Sequence, residues 1–398
     1  MYSENFHCLG DISVDDFLKN YWQKKPLLIR NAFPGIQSPL TADELAGLAC
    51  EVNVNARLVL EKDGDYPWQA EFGPFDETRF SELPETHWSL LISDVERLVP
   101  ETKALVKPFR FLPDWRLDDL MISYAPEGGS VGAHVDDYDV FLIQLNGQRL
   151  WKISEHYENE TLDDVDLRIL KNFTAEHEWV LNAGDMLYMP PNVAHHGIAH
   201  ACTDEQGDEI HCMTASVGFR APSLKTITSD YVHYLNEHTH AATRFTDSSP
   251  VKPVHHAEIS EDTVSQFVEY IQQGLTLEPE NVKRWLGQYR SDNKTFEDIS
   301  IGHSDVQHAL DFDELTAIAR QSALTHSPYS NFLFSYHQQA ALLFVDGDTY
   351  EVSRPFAELL CEDDLINILN LLSVINTEDK DVLLTLFNNG SIITLDSC

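Results

Sequence analysis

Residues 128–151 read GGSVGAHVDDYDVFLIQLNGQRLW, and some forty residues later the chain reads MLYMPPNVAHHG over residues 186–197. The first stretch carries His134 and Asp136 two apart, and the second carries His195. Residues i and i+2 of a strand project to one face, so an H-x-D pair on a strand can grip a single ion. A later imidazole delivered to the same place completes two histidines and one carboxylate, the facial donor set that holds Fe(II) and leaves the opposite face of the octahedron open. A chain that brings these segments together needs a sheet that returns on itself.

The flanking residues read as strands. Residues 140–145 are apolar and β-rich, Asn146-Gly147 is a hairpin signal, and residues 149–153 read as the return strand, with Gln144 opposite Arg149. If the strand runs unbroken from His134, Arg149 shares the metal face; a bulge near Asp137 would reverse that parity. Residues 178–181 and 186–189 read as two more strands around an Ala183-Gly184-Asp185 turn, the second stopped by Pro190-Pro191, which places His195 in a strand-end loop. An H-x-D triplet alone is more often a solvated loop pair, and an Arg on an edge hairpin more often a rim residue in a surface ion pair. The assembly of strand-borne H-x-D, inward Arg and G-D-x-x-x-x-P-P-x-x-x-H is what points to a metal site.

Residues 17–35, 118–151, 184–197 and 216–222, which together span the first 222 residues, resemble the cupin-type JmjC 2-oxoglutarate oxygenases, specifically the bacterial ribosomal oxygenases. The resemblance implies a double-stranded β-helix, or jelly roll, with His134, Asp136 and His195 as the Fe(II) ligands. It also implies that Arg149 binds the distal carboxylate of 2-oxoglutarate, assisted by the hydroxyl of Ser123, with O2 as the second cosubstrate. An Arg fork suits a carboxylate bidentately and a serine can donate to the same group. The implied reaction is hydroxylation of the β-carbon of an arginine in ribosomal protein L16 of the large subunit, with Glu127, Asp137 and Asp139 forming an acidic groove for the guanidinium. The stretch 198–215 is longer than expected of the family and reads as a lid-side loop; it makes His196, His200 and His211 rival third ligands. Two other functions stay open: a JmjC oxygenase acting on another protein side chain or as a demethylase, and a metal-binding cupin without turnover.

At 398 residues the chain is long for one core, and its texture divides in three. Residues 1–221 have the helical preface and Gly/Pro-punctuated strands of a JmjC catalytic domain. Residues 222–299 carry helical apolar spacing over 223–237, 259–275 and 278–289, with a helix start at Ser260 and a polar linker over 246–256; too little apolar surface per helix for a large core suggests packing on a second subunit, and the resemblance implies a homodimer here. Residues 300–398 mix helices, a hairpin at LLFVDGDTYEV and a short strand SIITL, which fits a winged-helix-like module. The expected class is therefore mixed α+β. Twenty-seven basic against 65 acidic residues give a net charge of −38, which repels nucleic acid and attracts a basic protein, or else marks a generally acidic solvated surface. Residues 301–398 hold three basic and 15 acidic residues, 3 − 15 = −12, so direct DNA binding is not expected. Six cysteines without C-x-x-C spacing suggest a reducing cytoplasm rather than a disulfide scaffold or zinc site. No basic-apolar leader is seen, and the longest apolar run, over 365–375, is broken by Asn and Ser, so no membrane association is expected.

Overall fold

The structure, a computed structural model, describes residues 7–61, 68–163, 165–200, 202–203, 207, 209–219, 221–238, 244–246, 252, 255–275, 277–292 and 310–395. It divides into two compact units, Met1–Ala221 and Pro222–Cys398.

The first unit opens with α1 (Val14–Asn20), capped by the Ser13 side chain, then β1 (Leu27–Ile29) and α2 (Ala42–Cys50), which starts on a Thr41/Glu44 capping box. There follow β2 (Ala56–Glu61), β3 (Trp68–Phe72), α3 (Glu77–Ser81), β4 (Trp88–Ile92), the short helices α4 (Val95–Leu98) and α5 (Lys103–Val106), and β5 (Leu120–Ala125). The strands of the jelly roll are β6 (His134–Val135), β7 (Asp139–Asn146), β8 (Gln148–Ser154), β9 (His177–Asn182), β10 (Met186–Met189), β11 (Ala194–His200) and β14 (Cys212–Phe219), with a small ribbon of β12 (Cys202–Thr203) and β13 (Glu209–Ile210) between the last two.

These strands form two antiparallel sheets. The larger is ordered β1-β10-β7-β14-β5-β4-β2-β3, the smaller β6-β11-β8-β9. Residues 140–145 read as an apolar run because both faces of β7 are covered. Phe141, Ile143 and Leu145 belong to the cluster under the helical preface, where Phe109 and Phe141 approach to 4.5 Å and Phe17 meets Tyr188 edge-on at 4.9 Å. Val140 and Leu142 pack with Trp151, Ile153, Leu181, Leu187 and Met189 in a second cluster. Sheet-to-sheet corners are held by local chemistry: at the Gly184-Asp185 turn, Asp185 accepts from the backbone N–H groups of Asn31 and Asn182 and from Arg30.

Four sequence expectations are corrected here. The segments 140–145 and 149–153 are not a hairpin: β7 and β8 lie in different sheets, and Asn146-Gly147 is the corner between them. Gly147 has φ +63°, and a Cβ there would stand 2.6 Å from the carbonyl oxygen of His211, so the tight turn serves a close approach to β14. The strand from His134 is not unbroken, since β6 ends at Val135 and the chain changes sheets before Asp139. His195 is the second residue of β11, paired with His134 across the ladder, rather than part of a loop. The expected long loop over 198–215 is shorter, because residues 198–200 extend β11 and residues 212–215 begin β14; residues 201, 204–206 and 208 lie outside the described residues.

The second unit contains α6 (Leu224–His238), α7 (Glu261–Gly274) capped by Ser260, and α8 (Pro279–Ser291) with proline in its first turn. After residues 293–309, which lie outside the described residues with most of the expected linker over 246–256, come α9 (Phe312–Ala319), β15 (Leu324–His326), β16 (Phe332–His337), β17 (Ala340–Val345), β18 (Asp348–Val352), α10 (Arg354–Cys361), β19 (Leu365–Ile366), α11 (Ile368–Val374), α12 (Thr377–Asn388) and β20 (Ile392–Thr394). Here the expected hairpin forms: Val345 pairs Asp348 around Asp346 (φ +52°) and Gly347 (φ +87°), both in the left-handed region that a two-residue turn requires. α8 lies against this sheet closely enough that a Cβ on Gly287 would stand 2.4 Å from the Phe344 ring.

Candidate active site

The smaller sheet and the chain leaving it present a set of donors that could hold a metal ion. His134 on β6 and His195 on β11 are directly opposed, with ring centroids 4.3 Å apart, and Asp136 follows β6 where the chain leaves the sheet. The Asp136 Oδ2 lies 3.8 Å from His134 Nε2 and 3.5 Å from His195 Nε2, and the three donor atoms lie within 4.8 Å of one another. Among the described residues this is the one such cluster of histidine, cysteine and carboxylate donors.

The second nitrogens of the two rings decide whether the set fits a metal. His134 Nδ1 is 2.9 Å from the carbonyl oxygen of Gly132, and His195 Nδ1 is 3.0 Å from that of Val193. A carbonyl can only accept, so each Nδ1 carries the proton and each Nε2 turns a lone pair toward Asp136. Burial, then the neighbouring His134, push His195 down to about 4 against the opposing pull of Asp136, so the imidazole is neutral as a ligand requires. The donor set thus fits a divalent iron.

Arg149 on β8 is opposite Ala199 on β11, four residues from His195 and therefore on the same face. The parity expected for it holds, carried by the ladder to β11 rather than by a strand continuous with His134. It is buried; its Nε donates to Cys212 Sγ at 3.3 Å, while its Nη2 is buried without a hydrogen-bond partner. An orphaned guanidinium N–H of this kind is what a bound carboxylate would satisfy. Four residues of strand span about 13 Å, a gap that the arginine's own stem and a five-carbon dicarboxylate held at the metal can bridge. Ser123 on β5 is buried in the larger sheet, opposite Thr214, to whose carbonyl its hydroxyl donates at a long 3.4 Å, and Thr214 is opposite Gln144.

The rival histidines are elsewhere. His196 points away from its neighbour, edge-on to Phe173; His200 lies 3.6 Å from Glu127, and His211 stands against Tyr124. Asp139 does not belong to a groove: it is buried and accepts from Tyr188 at 2.6 Å and Gln23 at 2.9 Å. Glu127 and Asp137 remain at least partly exposed.

Several residues around the site were not singled out from sequence. Trp151, two along from Arg149, lies 5.8 Å ring to ring from His195, with its Nε1 buried and unpartnered. It lies over Gly197, where a Cβ would come 2.8 Å from the ring and 3.1 Å from Arg149 Cδ. Arg57 on β2 is near enough to Asp136 and Tyr138 for both to raise its basicity, against the stronger effect of burial. Cys212 meets Arg149 from the opposite sheet, and Gln144 donates to the same sulfur. Of these, Trp151, two along the strand from Arg149, and Gln144, read opposite it, offered a signal in sequence.

Comparison with known proteins agrees with this geometry. The JmjC domain profile matches residues 104–227. The chain is 37% identical over 286 residues to the ribosomal protein uL16 3-hydroxylase of Escherichia coli, covering 72% of this chain and 73% of that protein. It is 40% identical over 224 residues to a probable ribosomal oxygenase of Haemophilus influenzae, covering 55% of this chain and 53% of the relative. The solved structure of the Escherichia coli ribosomal oxygenase YcfD in complex with cobalt and 2-oxoglutarate superposes with a TM-score of 0.81 at 31% identity, over 97% of this chain and 99% of that one.

Proposed function

The chain belongs to the JmjC-domain ribosomal oxygenases, and from that premise we propose that it is an Fe(II)- and 2-oxoglutarate-dependent hydroxylase of a ribosomal protein, acting on the β-carbon of an arginine in uL16. The observation that carries the reading is the single inner face shared by the His134–Asp136–His195 set and the buried, unpartnered Nη2 of Arg149. His134, Asp136 and His195 would hold the iron, and Arg149 with Ser123 the far carboxylate of 2-oxoglutarate. Bound iron and cosubstrate would supply the oxidant that inserts one oxygen atom of O2 into a substrate C–H bond, the cosubstrate leaving as succinate and carbon dioxide.

The protein's own share is position and exclusion of water. The carbonyls of Gly132 and Val193 fix both rings with Nε2 inward. Trp151, Ile153 and Leu142 wall the space between the sheets, so the carboxylate–guanidinium contact forms away from solvent, where it is stronger. The partly exposed carboxylates of Glu127 and Asp137 suit a cationic substrate side chain.

For the second unit, the proposed division into 222–299 and 300–398 is one of role, since α8 of the first part packs on the sheet of the second. Val264, Phe267, Val268, Ile271 and Leu275 repeat at helical spacing along α7 and are exposed, which supports a helical dimerisation region. The hairpin of β17 and β18 beside α10, α11 and α12 supports the winged-helix-like reading of the remainder. Its net charge of −12 argues for a protein-contact role and against DNA. A reducing, cytoplasmic setting is the reading that a ribosomal protein substrate supports, and the five free cysteines among the described residues are compatible with it; no described helix is long and apolar enough to cross a membrane.

The test is incubation of the purified protein with Fe(II), 2-oxoglutarate and recombinant uL16, with succinate measured and the peptide mass mapped by fragmentation. Succinate matched by one added oxygen on an arginine is expected. Succinate without substrate oxidation would refute the substrate, and no succinate the enzyme itself.

A further inference from the structure

Cys212 is 1% exposed at the start of β14, and its sulfur is the hub of a closed hydrogen-bond circuit. Arg149 Nε and Gln144 Nε2 each donate to Sγ at 3.3 Å. Thr214 Oγ1 donates to Gln144 Oε1 at 3.3 Å and lies 3.9 Å from Cys212 Sγ, within reach of the thiol proton. Gln144 cannot turn away, because its Nε2 also donates to the carbonyls of Asn146 at 2.7 Å and Met213 at 3.2 Å. Gln144 and Thr214 are as buried as the cysteine. These contacts join β8 of the smaller sheet to β7 and β14 of the larger one, where no backbone ladder connects them.

We infer that Cys212 is a positioning residue for the cosubstrate, its sulfur fixing the plane of the Arg149 guanidinium so that Nη2 faces the cavity. The inference rests on the reading of Arg149 as the carboxylate anchor. A guanidinium on a four-bond stem can rotate about its last torsions. A hydrogen bond at Nε removes that freedom without spending an Nη donor that the carboxylate needs. Sulfur suits the place, since its longer contacts let one acceptor meet donors from two sheets. Without it, Gln144 keeps its two carbonyl partners while Arg149 Nε is left buried and unpaired, and the fork must be ordered by the ligand itself.

The experiment uses the full chain loaded with Mn(II) in the absence of O2, with calorimetric Kd for 2-oxoglutarate as one readout and the KM-against-kcat split of the iron enzyme as the other. Cys212→Ala should raise both Kd and KM for 2-oxoglutarate by about three- to tenfold, with kcat at saturating cosubstrate near that of the parent, and Cys212→Ser should recover most of the affinity by retaining an acceptor. In an Arg149→Lys background, where a methylene replaces Nε and no donor faces the sulfur, Cys212→Ala should add nothing. If the alanine variant does not fold, Cys212→Val, close in volume and lacking an acceptor, takes its place. An unchanged Kd in a folded Cys212→Ala or Cys212→Val protein overturns the inference, as does an equal loss in the Arg149→Lys background. If instead Arg149→Ala leaves the Kd unchanged, it is the anchor reading that fails.

Discussion

At the metal-facing residues, tautomer and charge are imposed by the backbone. Because Gly132 and Val193 accept from the two Nδ1 atoms, the inward nitrogens are bare, and Asp136 presents its carboxylate to both. Asp136→Ala should therefore abolish Fe(II)-dependent succinate formation, and Arg149→Ala should raise the KM for 2-oxoglutarate at least tenfold; parental turnover in the first protein or an unchanged KM in the second would contradict these roles. The same burial makes the metal-free protein acid-sensitive. His195 is pushed down to about 4 by burial and then by His134, and His196 to about 4 by burial and then by Lys152. Between the ordinary value of 6.5 and about 4 the unfolded chain binds protons that the folded chain refuses, so stability falls as pH falls through that window. The melting temperature of chelator-treated protein should drop from pH 7 to pH 4.5, less steeply in His196→Gln, and a flat profile would refute the assignment. The triad was legible because H-x-D spacing is local and strand geometry is regular. The contact of Cys212 was not, because its meeting with Arg149 and Gln144 depends on how strands more than sixty residues apart in sequence come together.

At the level of elements, the strands were legible and their pairing was not. Asn146-Gly147 carries the usual composition of a hairpin turn, but composition records only that the backbone reverses with positive φ, and the same turn serves a corner between stacked sheets. The apolar run of β7 does not separate the two cases, since β17 is as continuously buried; Asn146-Gly147 leads into β8, which is at least half-buried at every position. Asp346-Gly347, by contrast, joins strands whose burial falls away from β17 toward the exposed positions of β18, and there the hairpin formed. The close contact of β11 with β8 gives an element-level prediction. Gly197→Ala would press on the Trp151 ring and the Arg149 stem at 2.8 and 3.1 Å, so the ladder must spread or the two side chains must tilt. The variant should fold, with a melting temperature lowered by several degrees and a KM for 2-oxoglutarate raised about fivefold or more. Parental affinity in that protein would show that Trp151 and Arg149 can yield without consequence for the cosubstrate.

Over the whole molecule, two surface properties constrain the partners: the exposed stripe of α7 and the charge. The stripe predicts that Phe267→Asp combined with Ile271→Asp lowers the mass seen by light scattering from dimer to monomer while leaving the jelly roll folded; an unchanged mass would remove the dimerisation role from this helix. The charge constrains the partner more strongly. A net charge of −38 repels phosphate on average, and residues 301–398, proposed as the winged-helix-like part, are themselves at −12 with three basic residues, too few to neutralise a phosphate backbone. A basic ribosomal protein meets the opposite condition: long-range attraction raises its encounter rate, and screening by salt removes that advantage over a Debye length of about 10 Å at 0.1 M. The kcat/KM for uL16 should accordingly fall as ionic strength rises from 50 to about 300 mM, chiefly through association, while the KM for 2-oxoglutarate, set in a buried pocket, changes little. Duplex DNA should neither bind nor inhibit at any point of the series. A salt-independent kcat/KM would mean that the acidic surface only solvates the protein, and tight, salt-sensitive DNA binding would overturn the partner while leaving the metal site as described.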